Sequence, residues 1–295
     1  MKKSISLLML ISFLVSISCY AQQEMALKRK VAIGRFSNET QYAKSVFYDK
    51  ENDPMGKQAS DILSTRLAAS EKFLLIERQD YDKIVSELNT SGGISQNIGA
   101  DYLIIGSITE YGRKNIGTQK VFSSSKEQIV EAGVSVRLVD VSTGIIIYSG
   151  EAKGEATAED KRVMGFGQSA DFDATLSDKA ISAAISKLVE NIINSCMDKP
   201  WKAYFLSVED GTYIISGGKS QGLKEGDTFT IMARGKMVKN PQTGLNIELP
   251  GRVAGTIRID QTMGSTPEDE ISFASLVDGT IDTAELDKYY IVAKK

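Results

Sequence analysis

The clearest pattern of apolar and polar positions lies between residues 99 and 158 of the 295-residue chain. Apolar runs at residues 102–108, 134–141 and 145–148 are rich in β-branched side chains, which favour strands. A Ser-Thr-Gly turn separates the second run from the third, and this predicts an antiparallel hairpin. Two polar excursions, residues 110–131 and 150–171, leave the predicted sheet, and segments of that length in a compact domain point to a function.

The flanking segments predict an α/β domain. A strand at 31–36 is followed by an amphipathic helix at 57–70, a strand at 73–76 and a second helix at 80–88. After the second excursion, residues 176–197 carry an apolar stripe at helical spacing, which predicts the longest helix. This order predicts a mixed sheet with flanking helices and two extended β-hairpins.

Beyond Pro200, which ends that helix, the pattern changes to short strands separated by frequent turns. The segment 201–295 is therefore predicted to be a small all-β domain that resembles a partly open barrel. The predicted organisation is a signal peptide at 1–21, an α/β domain at 22–200 and the β domain at 201–295.

The first 21 residues have the features of a secretory signal peptide. Lys2 and Lys3 precede an apolar segment that is too short to span a bilayer, and Ala21 ends a small-residue cleavage site. Acylation of Cys19 is the alternative, although Ser16 stands where a lipoprotein signal normally has leucine. Both routes export the chain, and no later segment is long and apolar enough to predict a transmembrane helix.

Composition narrows the function classes. The chain is 42% hydrophobic and 25% charged, as in folded soluble proteins, and its net charge of -3 argues against nucleic-acid binding. It contains no histidine, which removes histidine-dependent nucleophilic catalysis and histidine metal sites. We therefore expect no enzyme activity, no cofactor and no metal.

Two further motifs predict ordinary structural roles. Cys196 lies on the apolar face of the long helix, which predicts a buried thiol. Residues 217–222 contain Gly-Lys-Ser, but the first glycine of a phosphate-binding loop is missing, so a turn is predicted there.

The second excursion alternates with a period of two residues, one side small or apolar and the other polar. The small or apolar side consists of Tyr148, Gly150, Ala152, Gly154, Ala156 and Ala158. The polar side consists of Ser149, Glu151, Lys153, Glu155 and Thr157. In the first excursion, Val130, Ala132 and Val134 alternate on the return arm, but Lys120 interrupts the apolar set of the outgoing arm. The strands either cross a membrane, which would require a closed ring of subunits, or form soluble hairpins that extend the sheet or pack between subunits.

An ordered series of segments resembles the CsgG/HfaB family, whose best-known member is the curli secretion channel. The matching segments are 30–40, 73–78, 99–107, 134–144 and the long helix from residue 176, so the resemblance covers about residues 28–198. In channel-forming members, two hairpins per subunit leave the periplasmic domain and a ring of subunits closes them into one outer-membrane barrel. The two excursions fit this arrangement in place and number.

The resemblance also implies a pore constriction in the loop after the first strand. Family members narrow the pore with Tyr, Asn four residues later, and Phe directly after the Asn. Here Tyr48 and Asn52 have that spacing, but Asp53 stands where the Phe belongs, and Phe47 is the candidate substitute.

Taken with the family, the chain is predicted to be an outer-membrane secretion or assembly component. One form of this prediction is a subunit of an oligomeric β-barrel channel that exports fibre or adhesin subunits. The alternative is a non-channel assembly or anchoring protein, periplasmic or attached to the outer membrane. The implied partners are further copies of the chain in a ring, the outer membrane of a Gram-negative type envelope, and secreted subunits or accessory assembly proteins.

Overall fold

The computed structural model describes residues 27–40, 53–90, 99–120, 123–163, 175–239, 241–242, 244, 246–267 and 269–293. The first group of elements is β1 (Arg29–Asn38), α1 (Pro54–Ala69), β2 (Phe73–Ile76), α2 (Tyr81–Thr90), β3 (Tyr102–Lys120), β4 (Ser123–Asp140), β5 (Ile146–Val163) and α3 (Thr175–Met197). The second group is β6 (Lys202–Ala203), β7 (Phe205–Glu209), β8 (Thr212–Ser216), β9 (Thr228–Ala233), β10 (Met237–Lys239), β11 (Asn246–Glu248), β12 (Arg252–Met263), β13 (Ile271–Gly279) and β14 (Tyr289–Val292).

The first sheet is mixed, as the order of predicted elements requires. Its strand order is β2-β1-β3-β4-β5, with β1 parallel to both of its neighbours and β4 antiparallel to both β3 and β5. The predicted turn after β4 is confirmed, because Asp140 Oδ1 accepts hydrogen bonds from the backbone nitrogen and the hydroxyl of Ser142. The predicted α/β class is therefore confirmed.

The polar excursions continue the strands of this sheet. β3 and β4 stay paired as far as Lys120 opposite Ser123, and β4 stays paired with β5 as far as Val163. One β-bulge at Thr109 interrupts the first of these ladders. We call β3, β4 and β5 together the ribbon. Residues 164–174, which include the return arm of the second predicted hairpin, lie outside the described residues.

Helices α1 and α3 cover one face of the sheet and bury its main apolar core. On α3, the residues at helical spacing that face β4 and β5 are fully buried, among them Ala180, Ala184 and Ile192. On the sheet, Gly106 lies under the ring of Phe36, so that any side chain there would overlap the ring. None of the helices in the described ranges is long and apolar enough to cross a membrane.

The second sheet is entirely antiparallel, with the order β6-β14-β9-β12-β13-β8-β7. Its own apolar core surrounds Trp201 and Phe229, whose ring centroids are 5.3 Å apart. Strands β10 and β11 pair only with each other in the described part of the chain and form a separate two-stranded hairpin. The all-β character predicted for the C-terminal part is therefore confirmed.

The start of β1 connects the two cores. Leu27 is buried in the core of the second sheet, whereas Val31 belongs to the core of the first. Between them, the buried guanidinium of Arg29 donates to the carbonyl oxygens of Leu27, at 2.8 Å, and Lys199, at 2.9 Å. Burial of this side chain lowers the pKa of Arg29.

Candidate functional site

The ribbon carries the residues that the sequence singles out, and its outer strand is open. β5 is the last strand of the first sheet, and no strand of the described ranges pairs with its outer edge. The Nζ of Lys187 on α3 reaches around this edge and donates to the carbonyl oxygen of Lys153 at 2.6 Å. An exposed strand edge presents unpaired backbone donors and acceptors, so β5 is a candidate site for pairing with another chain.

The small and apolar side of the ribbon faces α3. Val130, Ala132 and Val134 on β4 are buried in the main core, and Ala152, Ala156 and Ala158 on β5 pack against it. At Gly154 the helix is so close that a Cβ would overlap the carbonyl oxygen of Ala180 and the backbone nitrogen of Ala184. From Val130 to Val134 and from Tyr148 to Ala158, α3 therefore covers the side of the excursions that would face lipid if the strands crossed a membrane.

The opposite side of the ribbon is polar and exposed. Lys153 Nζ lies 2.5 Å from Glu110 Oε2, across the intervening β4, and the pairing raises the pKa of Lys153. Gly133 stands between the two, where a Cβ would come within 2.9 Å of Thr109 Oγ1. Thr109 Oγ1 in turn donates to Glu151 at 2.9 Å. The rest of this side carries both signs of charge, since the exposed residues Glu131 and Glu155 lie on it together with the exposed Lys114 and Arg137.

The N-terminal turn of α3 marks how far this helix covers the ribbon. Ser177 Oγ lies 2.5 Å from the hydroxyl of Tyr111 and accepts a hydrogen bond from Arg113 at 3.2 Å. The strand β3 continues beyond Arg113 for seven residues, to Lys120. The ribbon therefore has a covered base beside α3 and a distal end beyond it.

The predicted constriction residues Tyr48, Asn52 and Phe47 lie outside the described residues, as does Cys19. The base of their loop is described at Asp53. Asp53 Oδ1 accepts a hydrogen bond from Gly56 at the first turn of α1, and Oδ2 accepts one from the backbone nitrogen of Asn38 at the end of β1. Asp53 thus caps the helix and ties the two ends of the loop together.

The other motifs singled out in the sequence have structural roles. In the Gly-Lys-Ser segment, the backbone nitrogen and the hydroxyl of Ser220 donate to the carboxylate of Glu270 at 2.9 Å, so a carboxylate of the chain already occupies this loop. Cys196 is fully buried, as predicted, and burial raises the pKa of its thiol to about 12. Such a thiol is unreactive at neutral pH.

Comparison with known proteins identifies the family. The model of the family "Curli production assembly/transport component CsgG" matches residues 13–226. The Neisseria meningitidis serogroup B protein named "Putative lipoprotein NMB1126/NMB1164" is 31% identical over 189 residues, which cover 63% of this chain and 84% of that protein.

The similarity to solved structures is weaker. The PelC dodecamer from Paraburkholderia phytofirmans is 19% identical, with a TM-score of 0.30 over 55% of this chain and 87% of that one. The Neisseria meningitidis lipoprotein GNA1162 is 15% identical, with a TM-score of 0.28 over 58% of this chain and 99% of that one. The match of the family model over most of the chain, with a relative above 30% identity, shows that this protein belongs to the CsgG family of curli production assembly/transport components.

Proposed function

We propose that the protein is a lipid-anchored, non-channel component of an assembly or secretion apparatus at the outer membrane. Its ribbon acts in the periplasm as a surface for subunits and clients. The observation that carries this proposal is the seating of α3 on the small, apolar side of the ribbon, at Gly154. A face that is packed against a helix of its own chain cannot also face lipid.

The distal end of the ribbon is also poorly suited to lipid. A membrane-crossing strand needs about 9–11 residues with one apolar face. Beyond Arg113, β3 offers seven residues, and the end of β5 contains the four consecutive charged residues Glu159, Asp160, Lys161 and Arg162. Since a strand alternates its residues between two faces, such a run leaves neither face apolar. Each basic residue at the bilayer midplane costs about 2–4 kcal/mol.

Attachment through Cys19 is supported by the meningococcal relative, whose name includes the word lipoprotein. An acylated Cys19 would place a lipid-modified N-terminus in the outer membrane and leave the folded part in the periplasm. We therefore propose that the signal peptide is processed by acylation of Cys19 and not by cleavage after Ala21.

The length of the chain between Cys19 and the fold sets the orientation. Residues 19 to 27 reach at most about 29 Å when fully extended. The stretch of β3 from Tyr102 to Arg113 is about 36 Å long at about 3.3 Å per residue. β1 runs parallel to β3 with Val31 opposite Tyr102, so Leu27, which precedes Val31, lies at the end of the sheet where both strands begin. A lipid on Cys19 therefore holds the end of the sheet where β1 begins, and the distal ribbon points away from that membrane.

In this orientation the open edge of β5 and the polar side of the ribbon are available in the periplasm. We infer that copies of the chain assemble through the β5 edge, because main-chain pairing needs no particular side chains. The exposed polar side, with Glu131, Glu151 and Glu155 beside Lys114, Arg137 and Lys153, would then repeat around the assembly and present a charged surface to clients. No reaction is catalysed in this role.

The second candidate function is the channel, which the word "transport" in the family description favours. It would place Tyr48 and Asn52, with Phe47, at a constriction and the distal ribbon in the membrane. The two candidates differ in what attaches the protein to the membrane, the lipid alone or the strands themselves.

Replacing Cys19 with serine separates them. We expect the wild-type protein to require detergent for release from outer membranes, whereas Cys19→Ser should be released by osmotic shock in buffer of high salt. Cys196→Ser, which changes the buried cysteine, is the matched control and should stay in the membrane fraction. If Cys19→Ser still requires detergent in high salt, the chain itself is embedded and the channel is supported.

A further inference from the structure

A hairpin of the C-terminal part combines exposed apolar side chains with positive charge. It consists of β10, β11 and their flanks, residues 234–253, and we call it the basic hairpin. The large apolar side chains that it exposes are Met237 at 54%, Ile247 at 46%, Leu249 at 44% and Val253 at 67%. Its charged residues are Arg234, Lys236, Lys239, Arg252 and the single acid Glu248.

Strands β10 and β11 of the basic hairpin lie outside the seven-stranded sheet, whereas its flanking residues Arg252 and Val253 begin β12 and pair with β9. β10 and β11 pair with each other over three residues, from Met237 opposite Glu248 to Lys239 opposite Asn246. Lys236, Lys239 and Arg252 are exposed, and Arg234 lies 3.8 Å from Glu248. A two-stranded hairpin of this size gains little stability by itself, so its exposed apolar side chains contribute little to the fold.

We propose that the basic hairpin binds the surface of a membrane that contains anionic phospholipids. Apolar side chains at this level of exposure can enter the boundary between headgroups and acyl chains, while lysine and arginine side chains extend to the phosphates. The charge favours this partner, because four basic residues and one acid complement a negative surface.

Another exposed apolar group on the protein lacks this charge. Val141, Ile145 and Ile146 at the turn between β4 and β5 are 51%, 61% and 49% exposed, but the nearest charged residue in the turn is Asp140. This turn has apolar exposure without attraction to anionic lipid, so it provides a matched comparison for the hairpin.

The contact with the membrane surface does not require the lipid on Cys19. The test therefore uses the full-length chain with Cys19→Ser, so that acylation contributes nothing to vesicle binding. It is measured by sedimentation with phosphatidylethanolamine vesicles that contain or lack phosphatidylglycerol. We expect binding to the anionic vesicles at low salt, with loss at high salt, and weak binding to vesicles without phosphatidylglycerol.

Two pairs of substitutions assign the binding to the hairpin. Lys236→Gln with Lys239→Gln should lower the partition coefficient about 30-fold, the effect of two basic residues at an anionic surface. Ile247→Ser with Leu249→Ser should also weaken it. The matched controls are Lys219→Gln with Lys224→Gln, exposed lysines elsewhere in the same part of the chain, and Ile145→Ser with Ile146→Ser. Both controls should bind as the parent does.

Three results would overturn the proposal: equal binding to both kinds of vesicle, equal binding of all variants, or no binding. A change of oligomeric size in solution on Ile247→Ser with Leu249→Ser, with vesicle binding unchanged, would instead assign the hairpin to a protein contact. None of these results depends on whether Cys19 anchors the wild-type protein, so the two proposals fail separately.

Discussion

Replacing Gly154 with valine is expected to prevent α3 from seating on β5 and to lower the free energy of unfolding by about 3 kcal/mol. The Cβ alone would overlap backbone atoms of Ala180 and Ala184, which cannot move aside as a flexible side chain can. The measurement is urea unfolding followed by far-ultraviolet circular dichroism.

Gly112→Val is the matched control for this prediction. Gly112 also lies in the ribbon, on β3, but a Cβ there meets nothing within 4 Å. Valine favours strands, so strand propensity by itself would make both substitutions neutral or slightly stabilising. If Gly154→Val unfolds like Gly112→Val, the helix does not cover this side of the ribbon, and the membrane-crossing alternative gains support.

Arg29→Met is expected to separate the unfolding of the two cores. The substitution removes the hydrogen bonds to the carbonyl oxygens of Leu27 and Lys199 and leaves both acceptors beside an apolar side chain. We expect a loss of about 2–4 kcal/mol, because hydrogen bonds to a charged donor contribute roughly 1.5–3 kcal/mol each and part of the loss is recovered by apolar packing.

The single tryptophan, Trp201, reports on the second core alone, whereas circular dichroism reports on both. In the wild type we expect the two signals to change together with urea. In Arg29→Met the fluorescence transition should move to lower urea than the circular dichroism transition. Arg35→Met, at an exposed position of the same strand, is the control and should leave the two transitions together. Coincident transitions in Arg29→Met would show that the guanidinium does not couple the cores.

The sequence predicted the order of elements in the first sheet because each has a strong local signal. The alternation of apolar residues from Tyr148 to Ala158 was also a true signal of a strand with one buried side. A period of two residues shows that one side is covered and does not show by what, so the sequence alone left open whether the strands cross a membrane or form soluble hairpins. The prevalence of glycine and alanine carried the missing information, since small residues allow a helix to approach a sheet closely.

Contacts between distant parts of the chain could not be predicted in this way. Leu27 lies next to the first strand in sequence but is buried with residues of the second sheet, and no local pattern distinguishes these two fates. The role of Asp53 had a local signal, because Asp followed by Pro54 is a common start of a helix. The family resemblance directed attention to the pore loop instead. The predicted positions Tyr48, Asn52 and Phe47 stay a prediction.

Whether the ribbon crosses a membrane is tested most directly by conductance measurements on the detergent-extracted, full-length protein in planar lipid bilayers. An outer-membrane porin added to the same bilayer serves as the positive control. A lipid-anchored component whose ribbon is covered by α3 should produce no stable conductance steps at any protein concentration. Steps of reproducible size that change with Tyr48→Ala or Asn52→Ala would contradict the non-channel function and establish the pore.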